Sequence, residues 1–139
     1  MSISKSVKET LSLGEKLARR LKKGDLVALI GDLGSGKTVL TKGLAKGLGV
    51  KNSRYVNSPT FVIIKEYKGK LPLYHFDLYR LDHPGSLDSD NFKEYFYGDG
   101  VTVVEWADKI KGLLPKKRLE IRMFIAGEDR RKIDIKVKR

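Results

Sequence analysis

The stretch GDLGSGKT, residues 31–38, contains three glycines followed by a lysine and a threonine. It matches the pattern G-x-x-x-x-G-K-[ST], with Gly31, Gly36, Lys37 and Thr38 at the specified positions. Glycines permit left-handed backbone angles, which turn several N–H groups toward one bound anion. The stretch therefore predicts a phosphate-binding loop in which Lys37 reaches the β- and γ-phosphates of a nucleotide and Thr38 binds Mg²⁺.

The segments on either side of this loop support the same prediction. LVALI, residues 26–30, is a continuous apolar run typical of a buried, parallel strand. Residues 37–48 read as a helix that ends before Gly49, and its N-terminal end adds a partial positive charge beside the loop. The predicted nucleotide-binding residues of this region are Gly31, Asp32, Leu33, Gly34, Ser35, Gly36, Lys37, Thr38 and Val39.

Other segments have clear periodicities. Residues 5–22 repeat apolar side chains at helical spacing and predict an amphipathic helix. A short helix capped by Ser89 or Asp90 is predicted to end at Phe96, and another is predicted over residues 106–112. Strands are predicted at residues 61–67, 71–76, 101–104, 119–125 and 132–137, the first two and the last two forming hairpins.

The chain has 139 residues, enough for one domain with a hydrophobic core but not for two. The predicted elements follow one another along the chain as helix, strand, glycine-rich loop, helix and then mainly strands. This order predicts one α/β domain over residues 1–139, a small P-loop NTPase domain with a mixed sheet. We expect a parallel core with added antiparallel strands rather than a regular doubly wound fold.

A P-loop site also needs an acidic residue at the end of a neighbouring strand. Glu105 ends the apolar run VTVVE, and Asp77 ends LYHFD. The first run is the more apolar, so Glu105 is predicted to bind Mg²⁺ directly or through water. Asp77 is then predicted to position or deprotonate a water molecule. Two alternatives stay open for these residues. Asp77 and Glu105 could have the opposite roles, or either could be an ordinary carboxylate in a turn.

Four further side chains have open interpretations. Thr60 lies in a Ser-Pro-Thr turn, where P-loop switches place a residue that senses the γ-phosphate, but turn threonines are also common. Trp106, the only tryptophan, either packs near the nucleotide or anchors the core. His75 and His83 have no carboxylate at metal-ligand spacing and are interpreted as structural or exposed.

Composition limits the classes of function. The net charge of +12 indicates an anionic partner such as nucleic acid or an acidic protein face, or else a lysine-rich surface. The basic clusters have no interleaved aromatic residues of the kind that stack on bases. Absence of cysteine excludes disulfides and thiolate metal sites. No apolar run approaches the ~20 residues of a membrane span, so we expect no membrane association and a cytoplasmic location.

Four motifs together resemble one family. GDLGSGKT, SPTF (58–61), HFDLYRL (75–81) and VEWAD (104–108) occur in the order and chain length of the bacterial TsaE (YjeE) family. The resemblance implies a small P-loop ATPase needed for threonylcarbamoyl modification of adenosine in tRNA. It also implies partners, the TsaB and TsaD homologues, with ATP hydrolysis keeping the modifying complex turning over and tRNA reached through that complex.

The resemblance also implies roles for individual residues. Lys37 and Thr38 match the residues that bind phosphate and magnesium, and Glu105 matches the acid on the metal side. Asp77 matches a residue needed for hydrolysis. The remaining matches are Thr60, in a switch-like turn, and Trp106, a residue important to activity beside the site.

Three other functions fit parts of the sequence. A small-molecule or nucleoside kinase would use the same loop, but the chain offers no clear lid or acceptor pocket. An RNA-binding switch GTPase would need a guanine-reading motif, and no Asn-Lys-x-Asp is present. A basic RNA-binding module with an incidental P-loop is the last alternative.

Overall fold

The computed structural model of the chain describes residues 2–53, 56, 64–79 and 94–139. Helix α1 spans Val7–Ala18, helix α2 spans Lys37–Gly47, and a 3₁₀ segment spans Ala107–Leu113. The strands are Ser2–Ser4 (β1), Leu26–Gly31 (β2), Ile64–Tyr67 (β3), Leu73–Asp77 (β4), Val101–Glu105 (β5), Arg118–Ile125 (β6) and Arg131–Lys138 (β7).

The strands form one mixed seven-stranded sheet in the order β1-β7-β6-β2-β5-β4-β3. Strand β2 is parallel to β5 and β6, and β4 is parallel to β5. The outer pairs β3–β4, β6–β7 and β1–β7 are antiparallel. The α/β fold with a parallel core and added antiparallel strands is therefore confirmed. The carboxyl ends of β2, β4 and β5 meet at one edge, where binding sites of such sheets form.

Strand β2 is apolar throughout because both of its faces are buried. Val27 and Leu29 belong to the core formed with α1 and α2. Leu26 and Ala28 belong to a second core on the other face of the sheet, formed with the 3₁₀ segment and the helical turn at residues 94–96. A strand between two cores has no exposed face that would favour polar side chains.

Helices α1 and α2 cross at two glycines. A Cβ atom at Gly14 would lie 2.7 Å from the carbonyl oxygen of Leu40. A Cβ at Gly43 would overlap the carbonyl oxygen of Leu11. The backbones can approach this closely only because neither position has a side chain, and the contact keeps the first turn of α1 beside the glycine-rich loop.

The helix predicted at residues 5–22 is too long at both ends. Ser6 is extended, and its side chain accepts a hydrogen bond from the Glu9 backbone N–H, so the helix begins after it. After Ala18 the chain turns through shorter-range backbone bonds, one of them from Leu21 N–H to the Ala18 carbonyl. Leu21 still packs on the core, which explains why the apolar period extended past the end of the helix.

The bounds of most other predicted elements lie close to those in the structure. The strands at 26–30, 101–104, 119–125 and 132–137 are each confirmed to within one residue, and the one predicted at 71–76 begins two residues later. Both hairpins are confirmed, and the helix at 106–112 has 3₁₀ geometry. Residues 61–63 and the caps Ser89 and Asp90 lie outside the described residues. Strand β1 was not predicted. Within the described ranges, no helix has the length and apolar character needed to cross a membrane.

Candidate functional site

The glycine-rich loop connects β2 to α2 with a backbone that glycine alone adopts easily. Gly34 and Gly36 have φ angles of +82° and +98°, in the left-handed region. At Gly31 a Cβ would lie 2.6 Å from the Met123 carbonyl oxygen on β6. No side chain caps the N-terminal end of α2, which begins directly after Gly36. The loop therefore presents backbone N–H groups and the helix dipole to an anion.

The side chain of Lys37 lies folded over this loop. Its Nζ donates hydrogen bonds to the carbonyl oxygens of Gly31 (2.6 Å) and Asp32 (2.8 Å), and to Ser35 Oγ (3.3 Å). The same Nζ lies 4.2 Å from the centre of the Trp106 ring. These contacts hold the Lys37 ammonium over the glycine-rich loop, beside the Trp106 ring.

The pKa of Lys37 is subject to opposing influences. Burial is the largest and lowers the pKa below its ordinary value. The negative charges of Glu105, Asp77, Asp32 and Asp108 raise it, but by less than burial lowers it. A phosphate group beside the ammonium would add negative charge and stabilise its charged form.

Glu105 is brought next to Thr38, as the predicted metal site requires. Thr38 Oγ1 donates to Glu105 Oε1 at 3.1 Å and lies 3.4 Å from Oε2. The carboxylate is only 2% exposed. A hydroxyl and one carboxylate are a ligand set for Mg²⁺, which keeps several waters and takes its other ligands from phosphates. The described residues contain no group of three or more His, Cys, Asp or Glu side chains placed to hold a metal ion.

His75, which the sequence interprets as structural or exposed, is structural and buried, and it has a carboxylate partner far along the chain. It lies on β4, fully buried, and its Nε2 is 2.5 Å from Glu105 Oε2. The two residues are 30 positions apart, so only the pairing of β4 with β5 brings them together. Spacing along the chain contained no signal for this contact.

Asp77 lies directly opposite Glu105 in the parallel register of β4 and β5. Its Oδ1 accepts a hydrogen bond from the backbone N–H of Tyr79 at 3.0 Å. Unlike Glu105, Asp77 is only half-buried, and both carboxylates line the same pocket as Lys37. Asp77 is therefore placed to contact a water molecule in the pocket.

Trp106 has a strained backbone at the edge of the site. Its φ of 61° and ψ of 38° are left-handed, which costs a non-glycine residue about 1–3 kcal/mol. The ring contacts that of Tyr79, with 5.2 Å between centres, and also packs on the second core. Trp106 therefore packs on the core and also lines the pocket, and its contact with a nucleotide stays a prediction.

The pocket has a volume of about 430 Å³, within the range of ligand sites. Sequence reasoning missed the part of its wall formed by the start of α1 with its cap and by the β6–β7 turn with the first residue of β7. These residues are Ser6, Val7, Thr10, Glu128, Asp129 and Arg131. The guanidinium of Arg131 donates to the Gly34 carbonyl at 3.1 Å, which connects this turn to the loop. No motif marks these residues, because three distant segments meet only in the fold.

Some predicted residues lie elsewhere. Thr60 and His83 are outside the described residues, so the switch-like turn stays a prediction. Leu33, Gly34, Gly36, Lys37, Thr38 and Val39 line the pocket, whereas Gly31, Asp32 and Ser35 contact Lys37 from the loop.

Known proteins share this sequence over most of its length. The model of the family described as threonylcarbamoyl adenosine biosynthesis protein TsaE matches residues 4–133. A Bacillus subtilis protein named tRNA threonylcarbamoyladenosine biosynthesis protein TsaE is 52% identical over 127 residues, covering 90% of this chain and 77% of that protein. A protein of the same name from Treponema pallidum is 36% identical over 133 residues, covering 96% of this chain and 97% of that one.

The fold has a solved counterpart as well. The crystal structure of YdiB from Bacillus subtilis matches with a TM-score of 0.80 and 42% sequence identity. The match covers 99% of this chain and 84% of that one. The resemblance found in the four motifs is therefore confirmed, and this chain belongs to the TsaE family of threonylcarbamoyl adenosine biosynthesis proteins.

Proposed function

We propose that this chain binds ATP with Mg²⁺ and hydrolyses the bond between the β- and γ-phosphates, as an accessory ATPase of threonylcarbamoyladenosine formation in tRNA. The observation that carries this proposal is the convergence of Lys37, Thr38, Asp77 and Glu105 on one pocket at the carboxyl edge of the sheet. A structural turn rich in glycine would not need a buried lysine, a hydroxyl and two carboxylates around it.

Phosphate binding is assigned to the loop and to Lys37. The N–H groups of the loop and of the first turn of α2 would hold phosphate oxygens, and the ammonium would contact the β- and γ-phosphates. The Nζ atom already donates hydrogen bonds to carbonyl oxygens of the loop. A small rotation of this flexible side chain would therefore bring the ammonium to the anion without moving the backbone.

Magnesium binding is assigned to Thr38 and Glu105. Their contact places one hydroxyl and one carboxylate together at the end of the loop. When bound, Mg²⁺ would neutralise charge on the phosphate oxygens that forms during transfer. Glu105 would act directly or through water, and its burial keeps its position fixed.

Water activation is assigned to Asp77. One oxygen of this carboxylate is held by the Tyr79 N–H, which restricts its rotation. The carboxylate would then accept a hydrogen bond from a water molecule in line with the γ-phosphorus and take its proton as the new P–O bond forms. The leaving group is ADP, and the products are ADP and inorganic phosphate.

Partner dependence follows from the family rather than from the pocket. The relatives are named for biosynthesis of the modified nucleoside, so we propose that this chain acts in the cytoplasm with TsaB and TsaD counterparts. The charge of +12 would favour approach to a complex that holds tRNA, because it attracts the tRNA phosphates. This electrostatic attraction weakens as the salt concentration rises. We expect contact with tRNA through the complex.

The test is phosphate release from ATP by the chain alone, then with its TsaB and TsaD counterparts, with GTP in a parallel series. We expect slow release by the chain alone, a strong increase with the partners, and none from the Lys37→Ala variant. Equal rates with and without partners would contradict the partnership but leave the ATPase proposal. No release under either condition would contradict the ATPase itself.

A further inference from the structure

His75 is a buried polar residue that the proposed reaction does not yet use. It is 0% exposed and lies on β4, two residues before Asp77. Its Nε2 is 2.5 Å from Glu105 Oε2, whereas its Nδ1 has no hydrogen-bond partner within the described part of the chain. Among the described residues, the ring therefore makes one polar contact, and that contact is to the carboxylate of the predicted metal site.

The chemistry of this contact defines its direction. An ionised carboxylate only accepts hydrogen bonds, so the proton between the two groups belongs to Nε2. His75 thus donates to Oε2, while Thr38 Oγ1 is nearer to Oε1. Because one oxygen is held from β4, rotation of the carboxylate is restricted, which favours the orientation with Oε1 nearer to Thr38.

An apolar side chain would fill the same space at lower cost. A buried ring nitrogen without a partner is unfavourable, because it loses its hydrogen bonds with water and gains none. The contact with Glu105 is the one benefit that a leucine or phenylalanine at this position would not provide. The histidine is therefore best explained by what it does to Glu105.

We propose that His75 is a positioning residue that holds Glu105 in the orientation required for Mg²⁺. This inference rests on the proposed ATPase function and deepens it, because it names the residue that orients the metal-side carboxylate. Groups that orient a metal ligand typically change metal affinity about 10- to 100-fold when they are removed. The inference concerns this hydrogen bond and not a change in charge of the histidine.

The matched variants are His75→Gln and His75→Asn, with His75→Leu as the complete deletion. Both amides bury the same polar group, but the glutamine nitrogen lies near the position of Nε2 and the asparagine nitrogen near that of Nδ1. Only glutamine can donate to Glu105. If the leucine variant fails to fold, the two amide variants still decide the question, and thermal unfolding by circular dichroism checks all three.

The measurement is binding of fluorescent N-methylanthraniloyl-ADP by the full chain, titrated with Mg²⁺ and repeated in EDTA. We expect the half-saturating Mg²⁺ concentration to rise about 10- to 100-fold in His75→Asn and His75→Leu, and less than about threefold in His75→Gln. Affinity in EDTA should be unchanged in all three, because the hydrogen bond of His75 within the described residues is to Glu105 and not to the loop. A structural defect would instead weaken binding with and without metal.

A double-mutant cycle tests whether His75 acts through Glu105. In the Glu105→Ala background, His75→Leu should change the Mg²⁺ requirement no further. Two results would overturn the inference and leave the ATPase proposal intact. One is that the effects of His75→Leu and Glu105→Ala on the Mg²⁺ requirement multiply in the double variant. The other is a wild-type Mg²⁺ requirement in His75→Asn and His75→Leu. If the wild-type chain itself binds no nucleotide with Mg²⁺, the proposed function and this inference both fail.

Discussion

Asp77 and Glu105 occupy directly opposed positions at the carboxyl ends of two parallel strands. They differ in surroundings, because Glu105 is buried against Thr38 and His75, whereas Asp77 is half-buried and accepts one backbone hydrogen bond. This difference supports the proposal that Glu105 serves the metal side of the pocket and Asp77 the water side. The predictions below separate the two roles.

Asp77→Asn should retain nucleotide binding and lose hydrolysis. Asparagine has the same shape and can still accept from the Tyr79 N–H, but it cannot take a proton from water. We expect phosphate release in a single turnover to fall about 100- to 10,000-fold, with ADP affinity in Mg²⁺ within about threefold of wild type. Glu105→Gln is the matched control, expected to raise the Mg²⁺ requirement. Loss of Mg²⁺-dependent binding in Asp77→Asn would show that the two roles are exchanged.

Thr38→Val and Thr38→Ser form a second matched pair. Valine keeps the shape but removes the hydroxyl that contacts Glu105, whereas serine keeps it. The Mg²⁺ concentration for half-maximal ATPase activity should rise about tenfold or more in Thr38→Val and stay close to wild type in Thr38→Ser. The same Mg²⁺ dependence in both variants would contradict the assignment of Thr38 to the metal.

The lowered pKa of Lys37 predicts a dependence of stability on pH. Between the folded pKa and the ordinary value of 10.5, the unfolded chain binds a proton at this site that the folded chain has lost. The free energy of unfolding must therefore rise with pH over that interval, relative to a chain without the lysine. Urea denaturation of wild type and Lys37→Met from pH 8 to 10.5, without nucleotide, measures this. The quantity compared is the free energy of unfolding of wild type minus that of Lys37→Met. If this difference stays constant or falls as pH rises, the lowered pKa is contradicted.

Gly43→Ala should destabilise the crossing of α1 and α2. A methyl group there would overlap the Leu11 carbonyl, so the helices must separate. We expect a loss of about 1–3 kcal/mol in the free energy of unfolding, measured by urea denaturation. Gly112→Ala is the control, because a Cβ at Gly112 meets no atom of the described residues within 4 Å and should change stability by less than about 0.5 kcal/mol. Equal effects of the two substitutions would argue against the close crossing.

Local patterns in the sequence predicted the loop, its strand and helix, and the two strand-end carboxylates. These features are encoded by adjacent residues, since glycine spacing and apolar runs report local geometry directly. The contact between Thr38 and Glu105 also followed, because parallel strands beside a P-loop bring such positions to one edge.

The contact between His75 and Glu105 could not be predicted in the same way. It depends on which strands are neighbours and in which register, and no local pattern contains that information. The same reason applies to Arg131, which reaches Gly34 from 97 residues away. Strand β1 was missed because its three residues, Ser2–Ser4, are a strand only through pairing with β7.

The central claim is that the loop at residues 31–38 is the nucleotide site. Calorimetric titration with a non-hydrolysable ATP analogue and Mg²⁺ tests it most directly, using wild type, Lys37→Ala and Lys46→Ala. Lys46 lies on the same helix but is exposed and forms an ion pair with the half-buried Glu15. We predict one site per chain, weakened about 10- to 100-fold in Lys37→Ala and unchanged in Lys46→Ala. Absence of binding by the wild type, or equal affinities in all three chains, would contradict the claim.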